Sequence, residues 1–364
     1  MSAKCRLAVF IPPKKKVKMK FPTRIVGVCA QANIEVVDID VEADLYTKGP
    51  YDILVHKLND FLTELEPTEG VLMKKRLHAY CSQWPRMIVI DDFNDAERLL
   101  DRFHQTNLMK SCEMSVNGHK VFVPKAVEIS ANLTLDGVKE LIRMQGMKFP
   151  LLCKPALASG GSEAHDMRLV FTEERLCDLK LPCVVQEFRN HSGVVYKVYV
   201  VGEHFFMCEK PSIRDVDCHV PRHETMFFDT RDISKLGKPY DPNVHSEDPN
   251  RRNWFSCSEK PDMLNRNVIG ELCRVVQEAT KLLLLGIDVL VDSETGSYML
   301  IDVNHFPGYS GINEERFQRA FVDMIISLAA VARETVAAAV AGTTTGLFYP
   351  LPTRQQPSDL ALNQ

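Results

Sequence analysis

The sequence predicts an α/β (α+β) chain, on three observations. Short apolar strands alternate with a helical stretch near the start, as in a small parallel-sheet unit. Later strands come as neighbours joined by tight turns, the pattern of antiparallel hairpins. At 364 residues with 45% apolar composition, the chain is long enough for two or three ordinary cores.

In order, Arg6–Ile11 reads as a strand, Phe21–Asn33 as a helical stretch, and Ile34–Asp38 and Tyr51–His56 as strands. In parallel sheets ligands bind beyond the carboxyl ends of the strands. Two basic groups fall there: Pro12-Pro13-Lys14-Lys15-Lys16, just after the first strand, and His56-Lys57, at the end of the third. The lysine run alone also fits a solvated loop or an import signal; Lys57 favours an anion site.

Glu69–Gln83 reads as a helix and Met87–Asp91 as a strand. Asn94-Asp95-Ala96-Glu97 has capping-box spacing and opens a helix that carries Leu99, Leu100, Arg102 and Phe103. A domain boundary is expected around residues 92–110. Phe149–Pro155 is an apolar strand with one charge, Lys154, which needs a reason because burying a lysine is costly. A Gly-rich loop follows, 158–165. No G-x-x-x-x-G-K-[ST] or G-x-G-x-x-G motif occurs.

Leu181–Phe188 reads as a strand, and Val194–Val201 with His204–Lys210 as a hairpin around Gly202. Cys218, His219 and His223 invite a zinc reading, but Pro221 between the histidines spoils a helical face. Residues 236–258 read as a long loop. Asp262 is expected to cap a helix that Gly286 ends, Glu314–Val340 reads as a helix, and residues 342–364 as a disordered tail.

The stretch 285–309 carries the chemistry. Ile287, Val289 and Val291 alternate with polar or small residues, as do Met299, Ile301 and Val303. With Glu294, Thr295 and Gly296 as a three-residue loop, Ser293 pairs with Ser297 and Asp288 lies opposite Asp302. Asp288, Asp302 and Asn304 then share one face. Facing like charges repel. A divalent cation removes that repulsion, and Mg²⁺ suits an all-oxygen site completed by phosphates. The Asn304-His305-Phe306-Pro307-Gly308-Tyr309 turn would hold the last side chain in place.

Composition excludes some classes. No apolar run of about 18 residues occurs, and a net charge of −4 leaves no nucleic-acid footprint. The eleven cysteines, without C-x-x-C, read as free thiols of a reducing compartment. A cytoplasmic location is expected, with nuclear presence open through the lysine run.

These segments together resemble the ATP-grasp fold, and more closely the inositol tetrakisphosphate 1-kinase (inositol 1,3,4-trisphosphate 5/6-kinase) family. The likeness is carried by Pro13-Lys14-Lys15, His56-Lys57-Leu58, Leu100-Asp101-Arg102, Phe149–Lys154, His165-Asp166-Met167, Gln186–Lys197, Pro211-Ser212, Gly286-Ile287-Asp288 and Ile301–Tyr309.

The resemblance implies an N-terminal α/β domain (1–95) on the inositol-phosphate side and two antiparallel-sheet domains (96–190 and 191–341) that clasp ATP. It implies an ATP-dependent kinase of inositol polyphosphates, monomeric, using two Mg²⁺ ions. Lys15, Lys57, His165, Lys197, Asn304 and Gly308 would meet the inositol phosphate. Arg102 and Lys154 would meet ATP phosphates. Gln186, Glu187, Phe188 and Lys197 would border the adenine and ribose, with Ser212, Thr230 and Ser234 further out. Asp288, Asp302 and Asn304 would hold metal and, with Lys197 and His165, form the catalytic set. Ser159, Thr230 and Lys210 depart from residues common in relatives. An ATP-grasp carboxylate ligase and a non-catalytic inositol phosphate binder are the rival readings.

Overall fold

The computed structural model describes residues 4–39, 49–158, 163–216, 224–233 and 264–340. Ser234, the Cys218/His219/His223 group, loop 236–258, Asp262 and tail 342–364 lie outside them, as do residues 159–162 of the Gly-rich loop.

The N-terminal unit runs β1 (Cys5–Phe10), α1 (Pro13–Met19), α2 (Thr23–Gln31), β2 (Ile34–Asp38), β3 (Ile53–His56), α3 (Leu58–Glu64), α4 (Pro67–Gln83) and β4 (Ile88–Ile90). Its strands are parallel, in the order β2-β1-β3-β4. Phe10 is level with His56, so both basic groups leave the same edge, as expected. The lysine run lies on α1, so the solvated-loop alternative does not hold. Pro13 stands in the first turn of α1, where its fixed φ is an asset and its missing N–H costs nothing.

Next come α5 (Phe93–Arg98) and α6 (Arg102–Ser111). The sequence reading expected one helix capped by Asn94. Two form, because two aspartates cap them. Asp92 accepts from the N–H groups of Asn94 and Asp95, and Asp101 from those of Phe103 and His104. Arg102 thereby opens a helix and is buried, not a surface residue.

The remaining elements are β5 (Met114–Val116), β6 (His119–Phe122), β7 (Ala126–Ile129), α7 (Leu135–Met144), β8 (Leu151–Pro155), β9 (Asp166–Val170), β10 (Cys183–Glu187), β11 (Val194–Val201), β12 (His204–Pro211), β13 (Met226–Asp229), α8 (Thr230–Ile233), α9 (Arg266–Thr280), β14 (Leu284–Val291), β15 (Tyr298–His305) and α10 (Glu314–Val340). They build a five-stranded sheet, β13-β9-β8-β10-β7, and a six-stranded sheet, β12-β11-β14-β15-β6-β5. The sheets interleave along the chain: β5 and β6 join the C-terminal sheet, and β13 joins the middle one.

Asn265 caps α9, accepting from the N–H groups of Asn267 and Val268. The helix ends at Thr280, with Lys281 in the left-handed conformation. Gly286 does not end it; it sits inside β14, where the Pro307 ring would lie 3.1 Å from any Cβ.

α10 locks the N-terminal unit to the six-stranded sheet. Phe317 and Phe321 share one core with Leu7, Phe21, Ile25, Phe306 and Tyr309. Arg24 on α2 grips Glu314 through two hydrogen bonds of 2.9 and 2.7 Å. A second core lies between the six-stranded sheet and α6 and α9. Among the described residues no helix is long and apolar enough to cross a membrane.

Candidate active site

Asp288 and Asp302 do face each other across β14 and β15. The route differs from the expected one. Asp292, not Ser293, bonds to Ser297 (N···O 2.9 Å), so the loop holds four residues. That change alone would shift the register. A bulge restores it: Val289 pairs with Leu300 and Asp288 with Asp302, leaving Ile301 unpaired. The bulge also turns Met299 and Ile301 onto the aspartate face, whereas Val303 stays in the core behind with Ile287 and Val289.

β14 lies between β11 and β15, so Lys197, Asp288 and Asp302 form a row across three strands. Lys197 Nζ donates to Asp288 Oδ2 at 2.6 Å. Burial works against the Lys197 charge, but Asp288 outweighs it and the ammonium pKa rises. Burial also pushes the Asp288 carboxyl up, with Lys197 opposing and Asp302 adding to the rise. Asp302 Oδ2 accepts from Asn304 Nδ2 at 2.8 Å. The Arg102 guanidinium lies 3.7 Å from Asp302 Oδ1. The repulsion between the carboxylates is therefore met first by protein cations.

Arg102 is 3% exposed and tied to the middle sheet, donating to the carbonyls of Pro155 (2.8 Å) and Ala158 (3.2 Å). Burial lowers its pKa and Asp302 opposes. Lys154 reaches from β8 to the Ile301 carbonyl at 3.1 Å. The bulge thus supplies that lysine with a partner. Burial, then Arg102, brings the Lys154 pKa down to about 8.

These groups open onto one cleft of about 330 Å³, within the range of small-ligand pockets. Gln186, Glu187, Phe188, Ser212, His165 and Thr230 line it too. His165 Nδ1 lies 3.1 Å from Thr230 Oγ1, and burial lowers its pKa. His191 Nε2 lies 2.8 Å from Ser212 Oγ. Leu152, Val195 and Leu290 form part of an apolar floor that the sequence reading missed. Each stands two residues from Lys154, Lys197 or Asp288, so the period-two rule applied from those charges would have found them. Arg231 was missed as well, although it is the neighbour of Thr230.

Lys15, Lys57 and Gly308 do not line this cleft. Lys57 is 7% exposed; its Nζ lies 2.8 Å from Asp60 Oδ2 and donates to the Phe306 carbonyl at 2.6 Å, two residues past Asn304. Lys15 Nζ lies 2.7 Å from Asp60 Oδ1. Burial lowers the Lys57 pKa. For Lys15 the pull of Asp60 outweighs burial and the net shift is upward. Gly308 faces open space.

The donor set fits a magnesium ion bound partly by substrate. Asp302 Oδ1 is buried with no hydrogen-bond partner among the described residues. Among the described residues no group of three or more His, Cys, Asp or Glu side chains could enclose an ion. Two carboxylates and an amide make an open site, as suits a cation that keeps waters and phosphate oxygens.

The profile of the inositol 1,3,4-trisphosphate 5/6-kinase ATP-grasp domain matches residues 115–327. That of the same family's pre-ATP-grasp domain matches residues 9–96. Inositol-tetrakisphosphate 1-kinase of Danio rerio is 31% identical over 311 residues, 85% of this chain and 76% of that protein. Inositol-tetrakisphosphate 1-kinase 2 of Glycine max is 31% identical over 297 residues, 81% of this chain and 87% of that protein. Among solved structures, a Chryseobacterium gregarium RiPP-associated ATP-grasp ligase aligns with TM-score 0.56 at 12% identity, covering 89% of this chain and 97% of that one. D-alanine–D-alanine ligase from Bacillus anthracis aligns with TM-score 0.52 at 14% identity, covering 91% and 99%. At such identity the likeness speaks for the fold alone, and the fold is ATP-grasp. The two profile matches and the curated relatives carry the rest: the chain belongs to the inositol 1,3,4-trisphosphate 5/6-kinase family.

Proposed function

We propose that the chain transfers the γ-phosphate of ATP to a hydroxyl of an inositol tris- or tetrakisphosphate, with the cleft between the five-stranded antiparallel sheet and the six-stranded sheet, mixed because β6 runs parallel to β15, as the site of transfer. The carrying observation is the row Lys197–Asp288–Asp302, flanked by Arg102 and Lys154 over an apolar floor. Phosphoryl transfer demands alignment and charge cancellation more than covalent help, and this arrangement provides both.

In this reading Gln186, Glu187 and Phe188 border the adenine, and Ser212 and Thr230 stand near the ribose side. Lys154 and Arg102 hold the phosphates. Asp288, Asp302 and Asn304 would hold Mg²⁺, as two ions, which neutralises charge on the β- and γ-phosphates when bound. Lys197 and His165 orient the acceptor from inside the cleft. Lys15, Lys57 and the open backbone at Gly308 receive its outer phosphates, which compete with Asp60 for the two ammonium groups. No side chain is required as an obligatory base; the chain acts as a cytoplasmic monomer.

The test is ATP turnover against a panel of inositol tris- and tetrakisphosphates, with chromatographic identification of the products. Acceptor-dependent ADP release is expected. Release stimulated by amino acids or peptides instead would favour a carboxylate ligase. Binding of inositol phosphates without turnover would mark a non-catalytic binder.

A further inference from the structure

Asp91 follows the last strand of the N-terminal sheet and is 3% exposed. Its carboxylate does not serve its own unit. Oδ1 accepts from the N–H of Leu283 at 2.6 Å, and Oδ2 from that of Leu284 at 3.1 Å. Leu284 opens β14, the strand that carries Asp288, and Leu283 stands just before it. His305, at the end of β15, places Nε2 3.4 Å from Oδ2.

The backbone of Asp91 serves the other direction. Its carbonyl lies 2.6 Å from His56 Nε2. The His56 tautomer follows from its second contact. The Leu58 N–H donates to Nδ1 at 3.1 Å, so Nδ1 carries no proton and Nε2–H donates to Asp91. His56 precedes Lys57, whose ammonium donates to the Phe306 carbonyl. The Phe306 N–H in turn donates to the Leu284 carbonyl at 2.7 Å. The contacts close a ring: Asp91 to Leu284, Leu284 to Phe306, Phe306 to Lys57, and through His56 back to Asp91.

We infer that Asp91 is a positioning residue for the acceptor. Through this ring it sets the place of Lys57 relative to the hairpin that carries Asp288, Asp302 and Asn304. The inference rests on the reading of Lys57 as an acceptor contact. The physical reason is that two phosphorylated substrates approach from different units, and in-line transfer tolerates little misplacement between them. Buried carboxylate bonds to two N–H groups are directional and strong. They fix a relation that apolar packing alone would leave looser.

The test uses the full chain and Asp91→Asn. The amide offers one oxygen to two N–H donors and sets an NH₂ against the other. Steady-state rates are measured with ATP and an inositol tetrakisphosphate varied separately. ADP release without acceptor and the melting temperature are followed alongside. Expected is a fall of about tenfold or more in kcat/KM for the acceptor, with the ATP KM and acceptor-independent ADP release unchanged. His56→Leu breaks the ring on its opposite side and should give the same pattern; it carries the test if Asp91→Asn does not fold. Arg24→Ala loosens the same pair of units elsewhere and serves as the control for a merely structural effect. The inference is overturned if acceptor and ATP parameters decline together, as in that control, or if neither moves. Lys57→Gln, run in parallel, separates the two failures: an unchanged acceptor KM there removes the Lys57 reading itself, whereas a raised one beside a silent Asp91→Asn removes only the role of Asp91.

Discussion

Two lysine pairs invite comparison. Lys154 and Lys197 stand on strands inside the cleft; Lys15 and Lys57 stand at the edge of the N-terminal sheet, on or just before short helices. Both pairs are held by acidic or carbonyl oxygens. In the cleft the oxygens belong to the hairpin itself, Asp288 and the Ile301 carbonyl. At the edge both lysines share Asp60, a residue outside the cleft. The cleft pair is therefore tied to the hairpin, whereas the edge pair is gathered around a single carboxylate. Under the proposed function, the first pair would keep a fixed geometry for transfer and the second would exchange Asp60 for phosphate as the acceptor arrives.

The largest test of this contrast lies on the hairpin. Asp302→Asn should reduce kcat by about 10²–10³-fold, the scale of removing one electrostatic stabiliser from an active site. The melting temperature should fall as well, because the buried Arg102 loses the carboxylate charge 3.7 Å away. A near-normal kcat would break the assignment of the row.

Next, Lys154→Ala and Lys57→Ala should divide by substrate. The first should raise the ATP KM and the second the acceptor KM, each by roughly ten- to a hundredfold, from about 1.5–3 kcal/mol for a charged hydrogen bond. If both raised the same KM, the two pairs would not serve different ligands.

A pH profile should sharpen the comparison further. The Lys154 pKa in the free protein is lowered to about 8, so the ammonium proposed to bind phosphate is present below that pH and lost above it. ATP affinity should be flat below pH 8 and weaken above it, by at most about tenfold per unit for one proton. The stability effect has the opposite sense. With a folded pKa below the unfolded value, Lys154 costs stability below pH 8, and the cost is relieved as pH rises toward 10.5. His56, pushed down to about 3 mainly by burial, costs stability only below about pH 6.5, where the unfolded imidazole binds a proton that the folded one refuses, and it adds no slope in the range where Lys154 titrates. Lys154→Met should remove the ATP dependence; its persistence would assign the titration elsewhere.

The smallest effect is expected from Asp60→Asn. Acceptor binding should tighten a few-fold, since phosphate no longer displaces a carboxylate. Stability should fall by about 1–3 kcal/mol, because Lys57 loses its counter-ion in a buried setting. Weaker acceptor binding would show instead that Asp60 orients the lysines rather than competing for them.

Much of the site was legible from residue types and spacing. A charge on an apolar strand is costly, so Lys154 stood out, and the hairpin register singled out Asp288 and Asp302; Lys197 came from the family resemblance, and a three-strand row now joins it to the two aspartates. The Asp288–Asp302 pairing was reached through a loop one residue too short, and a bulge at Ile301 compensated. Bulges leave no local signature here, because Ile301 is as good a strand residue as its neighbours. Arg102 could not be told from a surface arginine, since its burial depends on carbonyls from β8 and the loop after it.

By itself the sequence determined the alternation of elements, the parallel edge that gathers Lys15 and Lys57, and the identity of the charges on each strand. Period and turn chemistry are local, and they act within a few residues. Only the tertiary structure decided that β5 and β6 leave the middle segment for the C-terminal sheet, that Lys57 answers to Asp60 and Phe306, and that Asp91 ties the N-terminal unit to β14. Those relations join residues up to 249 positions apart, and the core that α10 shares with both units holds them together.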